Sequence, residues 1–217
     1  KKEIVTIGHK SIKTSKLNRS HITPKKWDKI IQNNKYTIID TRNDYEINIG
    51  SFKNSVNPNI KSFRDFPKYI KDLNLNKRQP IAMFCTGGIR CEKASSYLIK
   101  NGFKNVSQLD GGVLNYLEFK KNKKVNTWHG ECFVFDNRVS VDKYLNKGIH
   151  DQCYGCRHPI TEEDKKLSSY IKGASCKYCI DKKTKKKLNS SLIRQKQIDL
   201  AEKRKSKHSF QKIFTLK

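Results

Sequence analysis

The residues of this sequence best suited to chemistry are its seven cysteines, which fall mainly into two groups. The first group is the string Cys85-Thr86-Gly87-Gly88-Ile89-Arg90, followed directly by Cys91. An apolar run ends at Cys85 and helical spacing begins soon after it, so a thiol lies between a strand end and a helix N-terminus. The glycines let backbone N–H groups approach the sulfur, and the helix dipole and the Arg90 guanidinium favour the thiolate. We therefore expect Cys85 to be acidic and reactive, provided that solvent reaches its sulfur.

Other residues near this loop have open interpretations. Cys91 either resolves an oxidised Cys85 by forming a disulfide or is a small apolar residue of the helix. Asp40 and Arg42, at the end of another strand, either orient the loop or contact a substrate, or they form a buried ion pair. Cys132 lies in an apolar segment and is expected in the core. The alternative for Cys85 itself is a purely structural role, as a buried strand-end residue followed by an ordinary glycine turn.

The second group is a pair of CxxC knuckles, Cys153–Cys156 and Cys176–Cys179, with 19 residues between them. Four thiolates complete a tetrahedral Zn²⁺ shell, and the metal supplies folding energy that a module of about 30 residues cannot obtain from a core. A shell filled by cysteines leaves no position for water, so we predict a structural zinc site. Its predicted ligands are Cys153, Cys156, Cys176 and Cys179. The alternatives are metal-free redox pairs, or His150 or His158 in place of a cysteine ligand.

Strands and helices alternate around the first cysteine group. The predicted strands are Tyr36–Asp40, Ile81–Phe84 and Val106–Leu109. The helices are predicted to begin at Pro24, Cys91 and Val113. This alternation predicts an α/β fold, a parallel sheet with helices on both faces, in which ligands lie beyond the carboxyl ends of the strands.

Composition limits the class of protein. Among 217 residues, 47 are Lys or Arg and 20 are Asp or Glu, which gives a formal net charge of +27. No apolar run approaches the ~18 residues of a membrane span, so we expect no membrane partner. The charge favours a polyanion such as nucleic acid, although a merely solvated basic surface is the alternative. An odd cysteine count with CxxC spacing is typical of a reducing compartment, and we expect a cytoplasmic protein.

We predict five segments. These are a linker from a missing upstream domain at 1–22, an α/β domain at 23–125, a connecting segment at 126–149, a zinc module at 150–181 and a basic tail at 182–217. The tail carries 13 basic and 2 acidic residues. It is either an amphipathic helix laid along RNA phosphates or a disordered extension. Tyr154, Tyr170 and Tyr178 either stack an unpaired base or pack within the module.

The first cysteine loop resembles the active-site loop of the rhodanese superfamily. Asp40-Thr41-Arg42, with Tyr45-Glu46 and Gly50, is similar to an earlier motif of that superfamily, and Asp110-Gly111-Gly112 is similar to its closing Gly-Gly. Protein-tyrosine-phosphatase-like enzymes place five residues between cysteine and arginine, whereas four separate Cys85 from Arg90. The resemblance covers roughly residues 23–121 and implies a rhodanese-like fold around a smaller anion cradle.

A narrower resemblance extends the match. The string from Cys85 to Ser95, the segment Trp128–Val139 and the two CxxC knuckles resemble the bacterial-type tRNA uridine hydroxylases. The resemblance implies hydroxylation of the first anticodon uridine to 5-hydroxyuridine, with molecular oxygen as co-substrate, the tRNA anticodon region as partner and no evident nucleotide cofactor. It assigns catalysis to Cys85 and Arg90. The supporting loop residues are Thr86, Gly87, Gly88, Ile89 and Cys91, with Asp40 and Arg42.

Two further functions stay open. Ordinary rhodaneses transfer sulfur through a cysteine persulfide, and the same thiolate serves both reactions. A non-catalytic tRNA-binding scaffold needs only the basic surface. The hydroxylase family also carries an N-terminal ferredoxin-like domain that this sequence lacks, so we expect a fragment.

Overall fold

The structure is a computed structural model, and it describes residues 5–8, 20–123 and 126–204. Within these residues the chain packs as two compact units. The first unit runs to Phe133 and includes Val141–Asn146. The second unit contains Val134–Ser140 and the described residues from Lys147 onward. The segment predicted as a connector, residues 126–149, is therefore divided between the two units.

The helices and strands are short, and most of them lie in the first unit. The strands are β1 Ser20–Ile22, β2 Thr37–Asp40, β3 Gly50–Phe52, β4 Ile81–Phe84, β5 Val106–Leu109, β6 Trp128–Gly130, β7 Cys132–Phe133, β8 Ser140–Val141, β9 Asp151–Gln152 and β10 Pro159–Ile160. The α-helices are α1 Pro24–Ile31, α2 Asp44–Ile47, α3 Phe66–Asp72, α4 Ile89–Lys100, α5 Gly112–Lys120, α6 Glu162–Lys165 and α7 Lys185–Lys203. Single 3₁₀ turns span Phe63–Asp65 and Ile180–Lys182.

The first unit is built on a four-stranded parallel sheet in the order β1-β5-β4-β2. Strand β4 lies in the interior of the sheet, and all four of its residues are buried, as a continuous apolar run predicts. The bounds of β4 and β5 match the prediction, and β2 begins one residue later than predicted. Helix α1 begins at Pro24 as predicted, whereas α4 and α5 begin two residues and one residue earlier than predicted, behind Gly88 and Gly111.

Helices cover both faces of this sheet, so the predicted fold class is confirmed. On one face Ile39 and Met83 belong to a core that includes Phe66 of α3 and Leu98 of α4. On the other face aromatic rings pack edge to face. Their centroid distances are 6.0 Å for Trp27 to Phe84, 4.8 Å for Phe52 to Phe84 and 4.7 Å for Phe52 to Tyr116. Each large side chain buried here contributes roughly 1.5–3 kcal/mol.

The predicted linker at 1–22 is wrong for its last three residues. Ser20–Ile22 forms β1, which pairs in parallel with β5 in the register Ile22 to Leu109. Ile22 is buried, while Ser20 and His21 are exposed, because β1 lies at an edge of the sheet. A strand with one apolar residue produces no periodic pattern, which is why β1 was not predicted.

The second unit has little apolar core. A two-stranded antiparallel pair, β9 and β10, and the helices α6 and α7 surround a cluster in which four cysteines pack with Ile160 and Tyr170. Helix α7 covers part of the predicted tail, and its N-terminus is capped by Thr184, whose Oγ1 accepts a hydrogen bond from the N–H of Lys187 at 3.3 Å. Residues 205–217 of that tail lie outside the described residues. Within the described chain, no helix has the length and apolar character needed to cross a bilayer.

Candidate active site and metal centre

The loop that carries Cys85 connects the end of β4 to the start of α4. Gly88 caps α4 with φ +88°, a left-handed conformation that favours glycine. This conformation turns the Gly88 N–H toward the Cys85 Sγ, which accepts its hydrogen bond at 3.1 Å. The junction of strand, glycine turn and helix predicted from the sequence is therefore present, with the sulfur at its centre.

The environment of Cys85 favours the thiolate. The pKa of Cys85 is lowered to about 6, chiefly by a hydrogen bond with the side chain of Cys91. Burial acts in the opposite direction, but the charge of Arg90 and the backbone N–H groups of Cys91 and Arg90 lower the pKa further. The Cys91 thiol has a pKa well above its usual value because it is buried and because it hydrogen-bonds to Cys85. One thiolate is thus held by a neighbouring thiol that keeps its proton.

Access to the sulfur does not meet the expectation from the sequence. Cys85 is only 2% exposed, so the reactive atom lies beneath the loop surface in this structure. The loop above it is open to solvent at Gly87, where an added Cβ meets nothing within 4 Å, and at Ile89, which is 57% exposed. In this conformation Cys85 therefore has almost no contact with solvent.

The N-terminus of α5 binds the backbone of the Cys85 loop. The N–H groups of Val113 and Leu114 donate to the carbonyls of Cys85 and Thr86 at 2.9 and 3.1 Å. Gly112, at φ +67°, permits this approach, because a Cβ there would lie 2.4 Å from the Cys85 carbonyl oxygen. These two bonds hold the first part of the loop, next to the Gly88 N–H that donates to the sulfur.

Arg90 is fixed by a buried carboxylate. Its two terminal nitrogens donate to Glu46 at 2.7 Å each, a bidentate pair in which the Arg90 and Glu46 side chains are 9% and 0% exposed. The same guanidinium lies 3.5 Å from Thr86 Oγ1, which donates to the Phe133 carbonyl at 3.3 Å. Arg90 therefore acts on Cys85 through its charge and its backbone N–H, while its two terminal guanidinium nitrogens are bound to Glu46.

Asp40 and Arg42 form an ion pair in which both side chains are 0% exposed. Arg42 donates to both carboxylate oxygens of Asp40 and to the Gly50 carbonyl at 2.7 Å, while the Ser51 hydroxyl donates to Asp40 at 2.8 Å. Of the interpretations left open by the sequence, the structure shows the buried ion pair. The pair joins the end of β2 to β3.

Thr41 connects that pair to the cysteine loop. Its backbone N–H and its hydroxyl both donate to the Phe84 carbonyl, at 2.9 and 3.0 Å, and its Oγ1 lies 3.5 Å from Cys91 Sγ.

Cys132 is fully buried, as expected, and burial raises the pKa of its thiol to about 12. Cys132 thus keeps its proton where Cys85 loses it.

The second cysteine group forms a compact cluster. The four Sγ atoms lie within 4.8 Å of one another, and those of Cys156 and Cys176 are 3.7 Å apart. A tetrahedral zinc ion with Zn–S bonds of ~2.3 Å places its sulfur ligands about 3.8 Å apart, so the cluster has the size of a zinc site. Among the described residues, it is the one group of His, Cys, Asp and Glu close enough to hold a metal ion, and it contains neither His150 nor His158.

Comparison with known proteins places this geometry in a family. The family model of the rhodanese-like domain matches the sequence at residues 23–119. The chain is 52% identical over 214 residues to the tRNA uridine(34) hydroxylase of Pelagibacter ubique, an alignment that covers 99% of this chain and 70% of that protein. The chain belongs to the tRNA uridine(34) hydroxylase family.

Solved rhodanese structures resemble part of this hydroxylase-family chain. A rhodanese-related protein from Thermoplasma volcanium is 27% identical, covers 46% of this chain and 92% of its own, and has a TM-score of 0.39. A rhodanese-like domain protein from Staphylococcus aureus is 26% identical, covers 45% of this chain and 90% of its own, and has a TM-score of 0.37.

Three residues that contact the Cys85 loop were not among the site residues predicted from the sequence. Thr41, Glu46 and Gly112 occur in the rhodanese-like motifs, but their contacts with the loop depend on the tertiary structure. Glu46 lies 44 residues from Arg90, and no periodic pattern relates them. A signal was available in the motifs themselves, since an acid and a glycine accompany the cysteine loop in the family that this chain resembles.

Proposed function

We propose that this protein hydroxylates C5 of the wobble uridine of tRNA, with molecular oxygen as co-substrate and Cys85 as the reactive residue. The observation that carries the proposal is a cysteine with a pKa of about 6 in a fixed loop, within a chain of the tRNA uridine(34) hydroxylase family. A wobble base is unpaired and can leave its stack, so it can enter a protein loop without breaking a duplex. We also propose a cytoplasmic location, where such a substrate is found.

The residues in and around the loop have different roles. Cys85 provides the thiolate, and the N–H groups of Gly88, Arg90 and Cys91 stabilise its charge. Glu46 fixes the Arg90 guanidinium, so the positive charge beside the sulfur does not depend on a flexible side chain. Because Cys85 is 2% exposed, uridine binding must open the loop before the base reaches the sulfur.

The paired thiols suit the electron balance of hydroxylation. Insertion of one oxygen atom of O₂ into the uridine C5–H bond leaves the other atom to be reduced to water by two electrons and two protons. Conversion of two thiols to a disulfide releases two electrons and two protons. We propose that Cys85 and Cys91, which hydrogen-bond to each other, supply them and that a cellular thiol reductant then restores the dithiol.

We propose a structural zinc ion for the second unit. Cys153, Cys156, Cys176 and Cys179 would hold it. A zinc ion with four thiolate ligands has no open coordination position for a substrate, so its contribution is folding energy.

A second candidate function is sulfur transfer through a persulfide on Cys85. The observation that favours it is the ring of N–H donors around the sulfur, which suits a terminal persulfide anion as well as a thiolate. In that reaction the thiolate takes a sulfane sulfur from a donor and passes it to an acceptor thiol.

Nucleoside mass analysis of tRNA separates these functions. A strain lacking the gene is complemented with the wild-type gene, with Cys85→Ser, or with Cys132→Ala, which removes another buried thiol of the same unit. We expect wild type and Cys132→Ala to restore 5-hydroxyuridine, and Cys85→Ser to yield less than about one-hundredth of it. Purified proteins are assayed in parallel for persulfide formation with thiosulfate.

The outcomes decide between the proposals. Normal 5-hydroxyuridine from Cys85→Ser contradicts the role of this cysteine. If the wild-type gene leaves 5-hydroxyuridine unchanged while Cys85→Ser abolishes persulfide formation, the protein is a sulfurtransferase. If neither readout responds but salt-sensitive tRNA binding persists, the protein is a binding scaffold.

A further inference from the structure

One aromatic ring stands out on the surface of the second unit. Tyr154 lies inside the first knuckle, between Cys153 and Gly155, and is 68% exposed. Within the described part of the chain, no aromatic ring or cationic side chain contacts its ring, whereas Tyr178 of the second knuckle already stacks on His158 at 4.9 Å. The backbone beside Tyr154 is anchored by the cysteine cluster, so the ring stands on a fixed base.

Positive charge lies beside the backbone of the first knuckle. The Lys183 amino group donates to the Ala174 carbonyl next to the knuckle, and a Cβ on Gly155 would lie 2.6 Å from that amino group. The Arg194 guanidinium donates to the Tyr154 carbonyl at 3.2 Å, which brings α7 against the same knuckle. Two cations are therefore held against the backbone segment that carries the exposed Tyr154 ring.

The chain continues from that surface as a run of lysines. Residues 177–187 contain six lysines and one aspartate. Lys185, Lys186 and Lys187 fill the first turn of α7, which holds no acidic residue, and all three are exposed. Lysines at a helix N-terminus oppose the helix dipole, so their position does not serve the stability of α7. Among the described residues, no carboxylate pairs with them.

We propose that Tyr154 and the lysines at 182–187 form a binding surface for single-stranded RNA. An unpaired base stacks on the Tyr154 ring, while the neighbouring phosphates contact the lysines. The inference rests on the proposed function in one respect, since tRNA is the RNA it supposes. It adds a binding role for the second unit, which no catalytic step requires.

The test compares two RNA probes with the whole chain. One probe is a labelled anticodon stem-loop, and the other is the same hairpin with abasic loop nucleotides, which keeps the phosphates and removes the bases. We expect Tyr154→Leu to weaken binding of the intact loop between about 5- and 100-fold and to leave the abasic probe unchanged. Tyr154→Phe keeps the ring and should bind like wild type. The matched control is Tyr144→Leu, an exposed tyrosine of the first unit, 44% exposed with a lysine 4.9 Å from its ring.

The lysines are tested by charge removal. Replacing Lys185, Lys186 and Lys187 with Gln should weaken both probes and lower the salt dependence of binding by about two to three units of slope. The control replaces three exposed lysines of α1 instead. These are Lys25, Lys26 and Lys29. An equal loss from the control triple would show a general effect of net charge and would overturn the assigned surface.

Other outcomes are equally decisive. Unchanged binding by Tyr154→Leu, or an equal loss on both probes, removes base stacking from the proposal. Binding of anionic lipid vesicles that Tyr154→Leu abolishes would assign the ring to a membrane surface instead. Zinc content and circular dichroism of each variant identify any loss of folding. If wild type makes no 5-hydroxyuridine yet the probe results hold, the proposed function fails and this surface stands, because binding is measured without turnover.

Discussion

The first unit surrounds one cysteine of lowered pKa with peptide N–H groups, whereas the second unit packs four cysteines into one cluster. In the first unit, apolar packing of Phe66, Met83 and Leu98 already pays for folding, and the loop can hold a charge that favours chemistry. In the second unit, the cysteines themselves are the largest part of the core. A thiolate needs a positive partner: peptide N–H groups and Arg90 supply it at Cys85, and the proposed zinc ion would supply it at the four cysteines. Backbone N–H groups leave the sulfur a free electron pair for reaction, while a metal ion takes it.

Removal of the proposed metal should have the largest effect, and it should affect the two units differently. With zinc chelated, or with Cys176→Ser, we expect the second unit to unfold, because structural zinc contributes on the order of 10 kcal/mol. The first unit should keep its sheet. Hydrogen exchange followed by mass spectrometry measures both units in one sample, with β4 and β5 as the reference. Unchanged exchange at 150–181 after chelation, with no zinc in the purified protein, would contradict the metal centre.

Breaking the buried pair on the loop should have the next largest effect. Glu46→Gln leaves Arg90 without its ionic partner in a buried site, and we expect a loss of about 3–5 kcal/mol in the free energy of unfolding of the first unit. Trp27 and Trp128 both lie in this unit, so tryptophan fluorescence during urea unfolding reports on it. The control is Glu118→Gln, the same change at an exposed position of α5, with an expected effect below about 0.5 kcal/mol. Equal effects of the two changes would show that the pair adds nothing.

The support from α5 can be tested with one methyl group. Gly112→Ala combines a left-handed backbone with a Cβ 2.4 Å from the Cys85 carbonyl, and we expect a destabilisation of about 2–4 kcal/mol together with a slower reaction of Cys85. Gly87→Ala, in the same loop but facing open space, should change stability by less than about 1 kcal/mol. Urea unfolding and alkylation rates measure both variants. A Gly112→Ala protein as stable and reactive as wild type would show that the close approach is dispensable.

The pH dependence of alkylation tests the charge on Cys85. Only the thiolate reacts, so the rate rises as pH increases through the pKa, and half of the maximal rate is expected near pH 6. Cys91→Ala removes the largest stabilising hydrogen bond and should move this midpoint upward by about one unit. Iodoacetamide labelling followed by peptide mass analysis locates the reaction at Cys85. A midpoint near pH 9 would contradict the lowered pKa of Cys85. Absence of labelling in the native protein would contradict a reactive thiolate, because burial would then close the site to the reagent.

Part of this molecule could be predicted from local sequence. Ile81–Phe84 is a buried strand because an apolar run of four residues needs cover on both faces. Val106–Leu109 has apolar residues only at its two ends, and the bounds of both strands were predicted correctly. The two CxxC knuckles predicted a cluster because metal chemistry fixes ligand type and spacing. Strand β1 was not predicted because an edge strand needs only one buried residue, here Ile22.

The remainder depends on contacts between distant parts of the chain. The pairing of Glu46 with Arg90 and the approach of Gly112 to Cys85 join residues separated by 44 and 27 positions, and no local pattern encodes either contact. The burial of Cys85 was also not predictable, because a strand-to-helix junction does not fix what lies above it. The residue types that do chemistry were visible in the sequence, whereas the residues that position them were found from the structure.

The hydrogen bonds from Val113 and Leu114 have a consequence for the energy of the reaction. They fix the Cys85–Thr86 and Thr86–Gly87 peptides, so the segment that leads to the Gly88 N–H donor is held in place before any charge develops on the sulfur. In water, solvent dipoles must turn each time an anion forms, and that rotation is part of the barrier. In this loop the Gly88 N–H is turned toward the sulfur once, during folding, so under the proposed function a donor already faces the atom on which charge develops.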